Sequence, residues 1–122
     1  MKSKIPGQFK LESIGVKGYT AFSKVFSLTF LEDSQGGYSI VLVLESDQLP
    51  ENYRLRLRFT SVRNLTLREF GARPTQITGF DIIDISNDQL EGIRFKVTDY
   101  ENGVIQFFCS SAEIEDIEKI AK

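Results

Sequence analysis

Three arginines alternate with apolar residues in the segment 53–59, whose sequence is YRLRLRF. Alternation with a period of two is typical of a β-strand that buries one face, so Arg54, Arg56 and Arg58 are expected together on the other face. The strand repeat would place their guanidinium groups about 6.6–7 Å apart. Guanidinium groups bind carboxylates and phosphates through forked hydrogen bonds. The row is therefore a candidate surface for an anionic partner, with a protein favoured over nucleic acid, but ordinary pairing of the arginines within the molecule is the interpretation that the sequence favours.

The same row has two other interpretations. The arginines would be paired within the molecule if neighbouring strands place carboxylates opposite them, and Glu45, Asp81 and Asp84 are the candidates. They would bind a small anionic ligand or nucleic acid if the face is free. The isoelectric point of about 5.2 argues against nucleic acid. Tyr53 and Phe59 are expected on the opposite face, so they give no stacking platform for bases.

A second group of residues with possible chemistry is acidic and lies between positions 81 and 91. Its members are Asp81, Asp84, Asp88 and Glu91. If Asp84 is counted as the first position, a calcium-binding EF-hand loop requires Gly at the sixth position and Glu at the twelfth, where this chain has Gln89 and Phe95. We therefore expect a polar turn and no metal site. The acidic stretch stays an alternative contact surface for a partner.

The absent residue types exclude several classes of chemistry. The chain has no histidine and one cysteine, Cys109. This composition excludes histidine bases, histidine metal ligands, an intrachain disulfide and a cysteine-based zinc site. We expect neither an enzyme nor a cofactor. Cys109 is expected to be a small buried core residue; the alternative is a thiolate favoured by the start of a following helix.

Strand patterns dominate the rest of the chain. Phe26, Leu28 and Phe30 alternate with polar residues and are expected on one buried face. The run 33–37, DSQGG, has the composition of a hairpin turn, and the run 40–44, IVLVL, predicts a central strand covered on both faces. Further strands are expected at 8–13, 64–70, 76–85, with a bulge at Gly79, and at 93–100 and 104–109.

The C-terminal segment has the pattern of a helix. Ser110 and Glu113 match a capping box, and Ile114 and Ile117 lie three residues apart as on one helix face. The predicted fold is mainly β (α+β), with seven or eight mostly antiparallel strands in a sandwich or curled sheet and one C-terminal helix packed on them.

Length and composition indicate one globular domain. The chain has 122 residues, 41% hydrophobic and 26% charged, with a net charge of −2. We expect a single domain over 1–122, with residues 1–7 as a flexible tail. The N-terminal region lacks the apolar run of a signal peptide, and the longest aliphatic run, 40–44, is too short to cross a bilayer. A cytoplasmic monomer or homodimer is expected.

Two segments carry a resemblance to known proteins. They are LRLRFTSVRNLTL (55–67) and ITGFDIIDISNDQLEGIRFKVTDYENGVIQFFC (77–109). These segments resemble small single-domain bacterial proteins, some of which look like immunity proteins of polymorphic-toxin systems. The resemblance implies a cytosolic protein that binds and blocks one partner protein without catalysis. It assigns no residue a role, so the arginine row and the acidic stretch are the candidate contact surfaces.

Overall fold

A computed structural model describes the parts of the chain that form two sheets and one short helix. The described residues are 5–16, 18–33, 37–46, 51–68, 75–77, 79–88, 92–99 and 103–120. In chain order the elements are α1 (Gln8–Glu12), β1 (Phe22–Glu32), β2 (Tyr38–Ser46), β3 (Tyr53–Thr60), β4 (Arg63–Leu67), β5 (Thr75–Gln76), β6 (Phe80–Asp84), a 3-10 turn (Ser86–Asp88), β7 (Phe95–Asp99), β8 (Ile105–Cys109) and β9 (Ser111–Lys119).

The strands form two antiparallel sheets. One sheet has the order β5-β1-β2-β3-β9 and the other has the order β4-β8-β7-β6. Within the described residues there are eight strands of at least five residues, and the two-residue β5 adds a short edge. The predicted mainly β, antiparallel fold is confirmed.

The strand β2 lies at the centre of the five-stranded sheet, as its apolar sequence predicts. Ile40, Leu42 and Leu44 are fully buried on the face toward the core, and Val41 and Val43 are buried on the other face. The hairpin between β1 and β2 is also confirmed. It is closed at Asp33, whose backbone N–H donates to the carbonyl oxygen of Gly37 at 2.8 Å.

The two sheets bury their inner faces in one hydrophobic cluster. Phe59 of β3 meets Phe107 of β8 edge-on, with ring centres 5.0 Å apart, so the contact joins the two sheets. Cys109 is fully buried in the same cluster. Burial raises the pKa of its thiol to about 12, which agrees with the interpretation of Cys109 as a core residue.

The strands predicted at 64–70, 93–100 and 104–109 correspond to β4, β7 and β8. The ends of two of these predictions, 69–70 and 100, lie outside the described residues. The predicted strand at 76–85 is divided into β5 and β6. The division falls near Gly79, whose φ of 75° interrupts an extended backbone, as expected for a glycine inside a strand pattern.

The predicted C-terminal helix is wrong, because the segment forms the strand β9 along the free edge of β3. Ile114 lies opposite Leu57, and Ile117 lies opposite Leu55. One extra residue, Glu115, is inserted between these two pairs as a β-bulge. The bulge adds one position to the two-residue strand period, so the isoleucines are spaced by three as they would be on a helix.

The strand predicted at 8–13 is also wrong, since α1 occupies most of it. Leu11 on this helix is fully buried in the core cluster. Before it, Ile5 is buried, and the carbonyl oxygen of Pro6 accepts a hydrogen bond from the N–H of Ile114 at 2.8 Å. Residues 5–7 therefore pack against β9, and residues 1–4 of the predicted tail lie outside the described residues.

Candidate functional site

The three arginines of β3 share the outer face of the five-stranded sheet, the face turned away from the core. The strand register aligns this face into three rows across β1, β2, β3 and β9. The first row is Lys24, Glu45, Arg54 and Glu118; the second is Ser27, Val43, Arg56 and Asp116; the third is Thr29, Val41, Arg58 and Glu113. Together with the bulged Glu115, these positions carry four cations and five anions. The outer face therefore has mixed charge.

The first row is an unbroken ladder of ion pairs. Lys24 lies 3.7 Å from one oxygen of Glu45, and Arg54 lies 2.7 Å from the other. Arg54 also reaches Glu118 of β9 at 3.4 Å, so all three of its guanidinium nitrogens have a carboxylate partner. The predicted pairing with Glu45 is confirmed. The ion pairs of the first row therefore link the neighbouring strands β1, β2, β3 and β9.

The second and third rows are linked through one carboxylate. Glu115 accepts a hydrogen bond from Nε of Arg56 at 3.0 Å with Oε1, and from Nε of Arg58 at 2.9 Å with Oε2. Partial burial raises the pKa of Glu115, but the bonds from Arg58 and Arg56 outweigh it, and the net pKa lies below the usual value. Glu115 is therefore ionised and bridges the guanidinium groups of Arg56 and Arg58. We call this bridging carboxylate the clamp.

A second bulge places an aromatic ring beside the arginines. The register shifts between Val25 and Ser27, so Phe26 is the extra residue of β1. Its ring lies under the guanidinium of Arg54 at 3.8 Å and is 53% exposed. The prediction that Phe26, Leu28 and Phe30 share one buried face is wrong. The bulge turns the Phe26 side chain to the outer face, Leu28 is half-buried, and Phe30 is 46% exposed.

A shallow groove of about 220 Å³ crosses the sheet at the second row. Its lining includes the buried Val43 and the Phe26 ring with the guanidinium of Arg54 over it. Its lining residues are Phe26, Ser27, Val43, Arg54, Arg56, Asp116 and Glu118. The groove combines an aromatic ring, an aliphatic side chain and charges of both signs, which suits a protein surface better than a uniformly charged ligand.

The acidic candidates that the structure describes, Asp81, Asp84 and Asp88, belong to other elements than this face. Asp81 and Asp84 belong to β6 of the four-stranded sheet. The prediction that either of them pairs with the arginine row is therefore wrong. Asp84 accepts hydrogen bonds from the N–H and hydroxyl of Ser86 and lies 3.5 Å from Arg94, as in an ordinary polar turn. Asp88 ends the 3-10 turn, and Glu91 lies outside the described residues.

Comparison with known proteins identifies the family. The sequence model of the family described as Immunity protein PIM8 matches residues 17–115. The chain belongs to this immunity-protein family. The matched region extends from before β1 into β9. It therefore contains Arg54, Arg56, Arg58 and Glu115. No curated protein and no solved structure matches the chain significantly.

Two residues of the outer face of this immunity-family protein were not predicted from the sequence. Phe26 and Glu115 are both the extra residues of bulges, and a bulge shifts a side chain to the face opposite the one that alternation assigns. A weak signal exists at Glu115, where the flanking Ile114 and Ile117 are spaced by three rather than two. No such signal marks Phe26, because Phe26, Leu28 and Phe30 keep a spacing of two.

Other kinds of site are not found in the part of the chain that the structure describes. No three cysteine, aspartate or glutamate side chains there come close enough to hold a metal ion. No helix among the same residues is long and apolar enough to cross a membrane.

Proposed function

We propose that this protein is a non-catalytic immunity-type inhibitor that binds one toxin protein in the cytoplasm and blocks it. The family match over residues 17–115 is the observation that carries this proposal. The composition supports it, because a chain without histidine lacks the commonest general base and metal ligand. An inhibitor needs only a complementary surface, and the structure offers a broad charged face for that purpose.

The outer face of the five-stranded sheet is the proposed contact surface, with Arg54, Arg56 and Arg58 at its centre. Arginine and aromatic residues are the types that most often dominate binding energy in protein interfaces. Both types occur here, since Phe26 lies beside the arginine row. The acidic stretch at Asp81, Asp84, Asp88 and Glu91 is the alternative surface within the same function.

A small anionic ligand or nucleic acid is less well supported as the partner. Phosphate groups in a row would approach Arg56 and Arg58, but they would also approach Glu113 and Asp116, which lie opposite these arginines in the register. The carboxylates of these two residues repel a polyanion and so oppose its binding. A protein surface can place both signs of charge where they are needed.

Capture of the partner followed by a growth assay tests the proposal. Tagged protein is incubated with lysate of the native host at low and high salt, and the bound proteins are identified by mass spectrometry. The captured protein is then expressed in a laboratory bacterium alone and together with the wild-type chain. We expect growth arrest when it is expressed alone and rescue by co-expression. We also expect no binding of the chain to single- or double-stranded DNA at low salt.

Three outcomes contradict the proposal. The first is that no protein is captured at either salt concentration. The second is a captured protein whose expression leaves growth unchanged, which would mean that it is not a toxin. The third is DNA binding that weakens steeply with salt, which would favour the nucleic-acid alternative.

A further inference from the structure

The arginines of the outer face differ in how much of their hydrogen-bonding capacity is already used. Arg54 donates from all three guanidinium nitrogens to Glu45 and Glu118. Among the described residues, Arg56 and Arg58 each donate through Nε alone, in both cases to Glu115. Their terminal amino groups, Nη1 and Nη2, therefore remain available for a ligand.

The clamp orders these two side chains before any partner arrives. An arginine on a free surface samples many rotamers, and fixing it on binding costs conformational entropy. Glu115 removes part of that cost, because each of its oxygens holds one guanidinium group by Nε. The backbone of Glu115 is itself held by a side chain, since Lys10 of α1 donates from Nζ to the carbonyl oxygen of Glu115 at 2.8 Å.

We propose that Arg56 and Arg58 form a prepared receptor for one acidic side chain of the toxin, whose carboxylate accepts hydrogen bonds from their terminal amino groups. Arg54 lies on the same surface but does not bind this carboxylate, because its three nitrogens already donate to Glu45 of β2 and Glu118 of β9. This inference rests on the proposed function, because the acidic side chain belongs to the toxin.

The surrounding charges limit the ligand to a single carboxylate on a protein surface. Glu113 and Asp116 are exposed on β9, where they lie opposite Arg58 and Arg56 of β3. They repel an extended row of anions, while they attract basic residues next to the acidic one on the toxin. The receptor therefore fits an acidic side chain with basic neighbours.

Chemical labelling of the free protein tests the geometry without a partner. Phenylglyoxal adds to the terminal nitrogens of arginine, and the modified sites are quantified by mass spectrometry. We expect Arg56 and Arg58 to be modified several-fold faster than Arg54, and we expect this difference to disappear in concentrated urea. Equal rates in the folded protein, or faster modification of Arg54, overturn the inference.

Affinity measurements with the toxin test the receptor itself. The probe is the growth-arresting protein captured by the wild-type chain, in an inactive form. Arg56→Ala and Arg58→Ala are each expected to weaken its binding at least ~30-fold, as for other paired charges in interfaces. Arg94→Ala is the matched control, because Arg94 is 54% exposed, contacts one carboxylate and directly precedes β7 of the other sheet.

The outcomes separate failure of the inference from failure of the proposed function. If the wild type binds the toxin and rescues growth, and Arg56→Ala and Arg58→Ala bind it equally tightly, the receptor is overturned. The inhibitor function then stays in place. A large effect of Arg94→Ala without an effect at Arg56 or Arg58 also overturns it, and moves the contact to the acidic stretch. Absence of any growth-arresting partner overturns the proposed function and the receptor with it.

Discussion

The guanidinium carbon of Arg54 lies 3.8 Å from the centre of the Phe26 ring. A cation over an aromatic ring at an exposed site contributes about 0.5–1 kcal/mol. We predict that Phe26→Leu lowers the free energy of unfolding by about this amount, because leucine keeps an apolar side chain but removes the ring. Urea unfolding followed by circular dichroism measures the change.

The matched control for this substitution is Phe9→Leu. Phe9 is another exposed phenylalanine, on α1, and has no ring or cation contact among the described residues. Its substitution is expected to leave the free energy of unfolding almost unchanged. Equal effects of the two variants would mean that the ring contact with Arg54 does not contribute to stability.

The clamp at Glu115 predicts a dependence of stability on pH. The folded-state pKa of Glu115 is lowered, so its contribution is complete above the unfolded pKa of about 4.3 and is lost as pH falls through the folded pKa. Glu115→Gln should therefore be less stable than the wild type at pH 7. The difference between the two proteins should shrink as pH is lowered below about 4.

Glu113→Gln gives the comparison for Glu115→Gln. Glu113 lies on the same strand and is exposed, and no ion pair involves it among the described residues. The difference in unfolding free energy between this variant and the wild type should be close to zero at every pH. A pH-dependent difference as large as that of Glu115→Gln would show that general surface charge, and not the clamp, causes the effect.

The parts of the fold that follow a regular period could be predicted from the sequence. The alternation in 53–59 placed three arginines on one face, and the apolar run 40–44 predicted the central strand. These patterns need no information from distant residues, because the side chains of a regular strand alternate between its two faces. Of the three carboxylates proposed as partners of the row, Glu45, on the neighbouring strand β2, pairs with Arg54.

The parts that failed depend on contacts between segments distant in the chain. The segment at 111–119 has helical spacing, but a helix of nine residues is only marginally stable alone. As a strand, the segment pairs with the edge of β3 that would otherwise be unpaired. A one-residue bulge at Phe26 reversed the face that alternation assigned to it, and the bulge at Glu115 gave the isoleucines of β9 the spacing of a helix. Since a bulge is set by its partner strand, the sequence of one strand alone does not reveal it.

The close approach of the N-terminal segment to β9 predicts a severe effect of Gly7→Ala. Gly7 has a φ of 88°, and an added Cβ would lie 2.3 Å from the carbonyl oxygen of Ile114. The backbone strain costs about 1–2 kcal/mol, and relief of the clash should add about 1–3 kcal/mol. Urea unfolding of the variant measures the total loss.

Gly15→Ala separates the two contributions. Gly15 has a similar φ of 80°, but an added Cβ would meet nothing within 4 Å. Its substitution should therefore show the backbone strain alone. If Gly7→Ala is no more destabilising than Gly15→Ala, the contact between residue 7 and Ile114 is looser in solution than the structure indicates.

The buried thiol of Cys109 predicts very slow modification of the folded protein. Cys109 is fully buried, and burial raises its pKa to about 12. A thiol reagent reacts with the thiolate, so at pH 8 both low access and low ionisation slow the reaction. We expect no reaction with a disulfide reagent on the timescale of minutes, and one reacting thiol per chain after unfolding in urea. Rapid reaction of the folded protein would show that β8 opens away from the core, because no other cysteine is present.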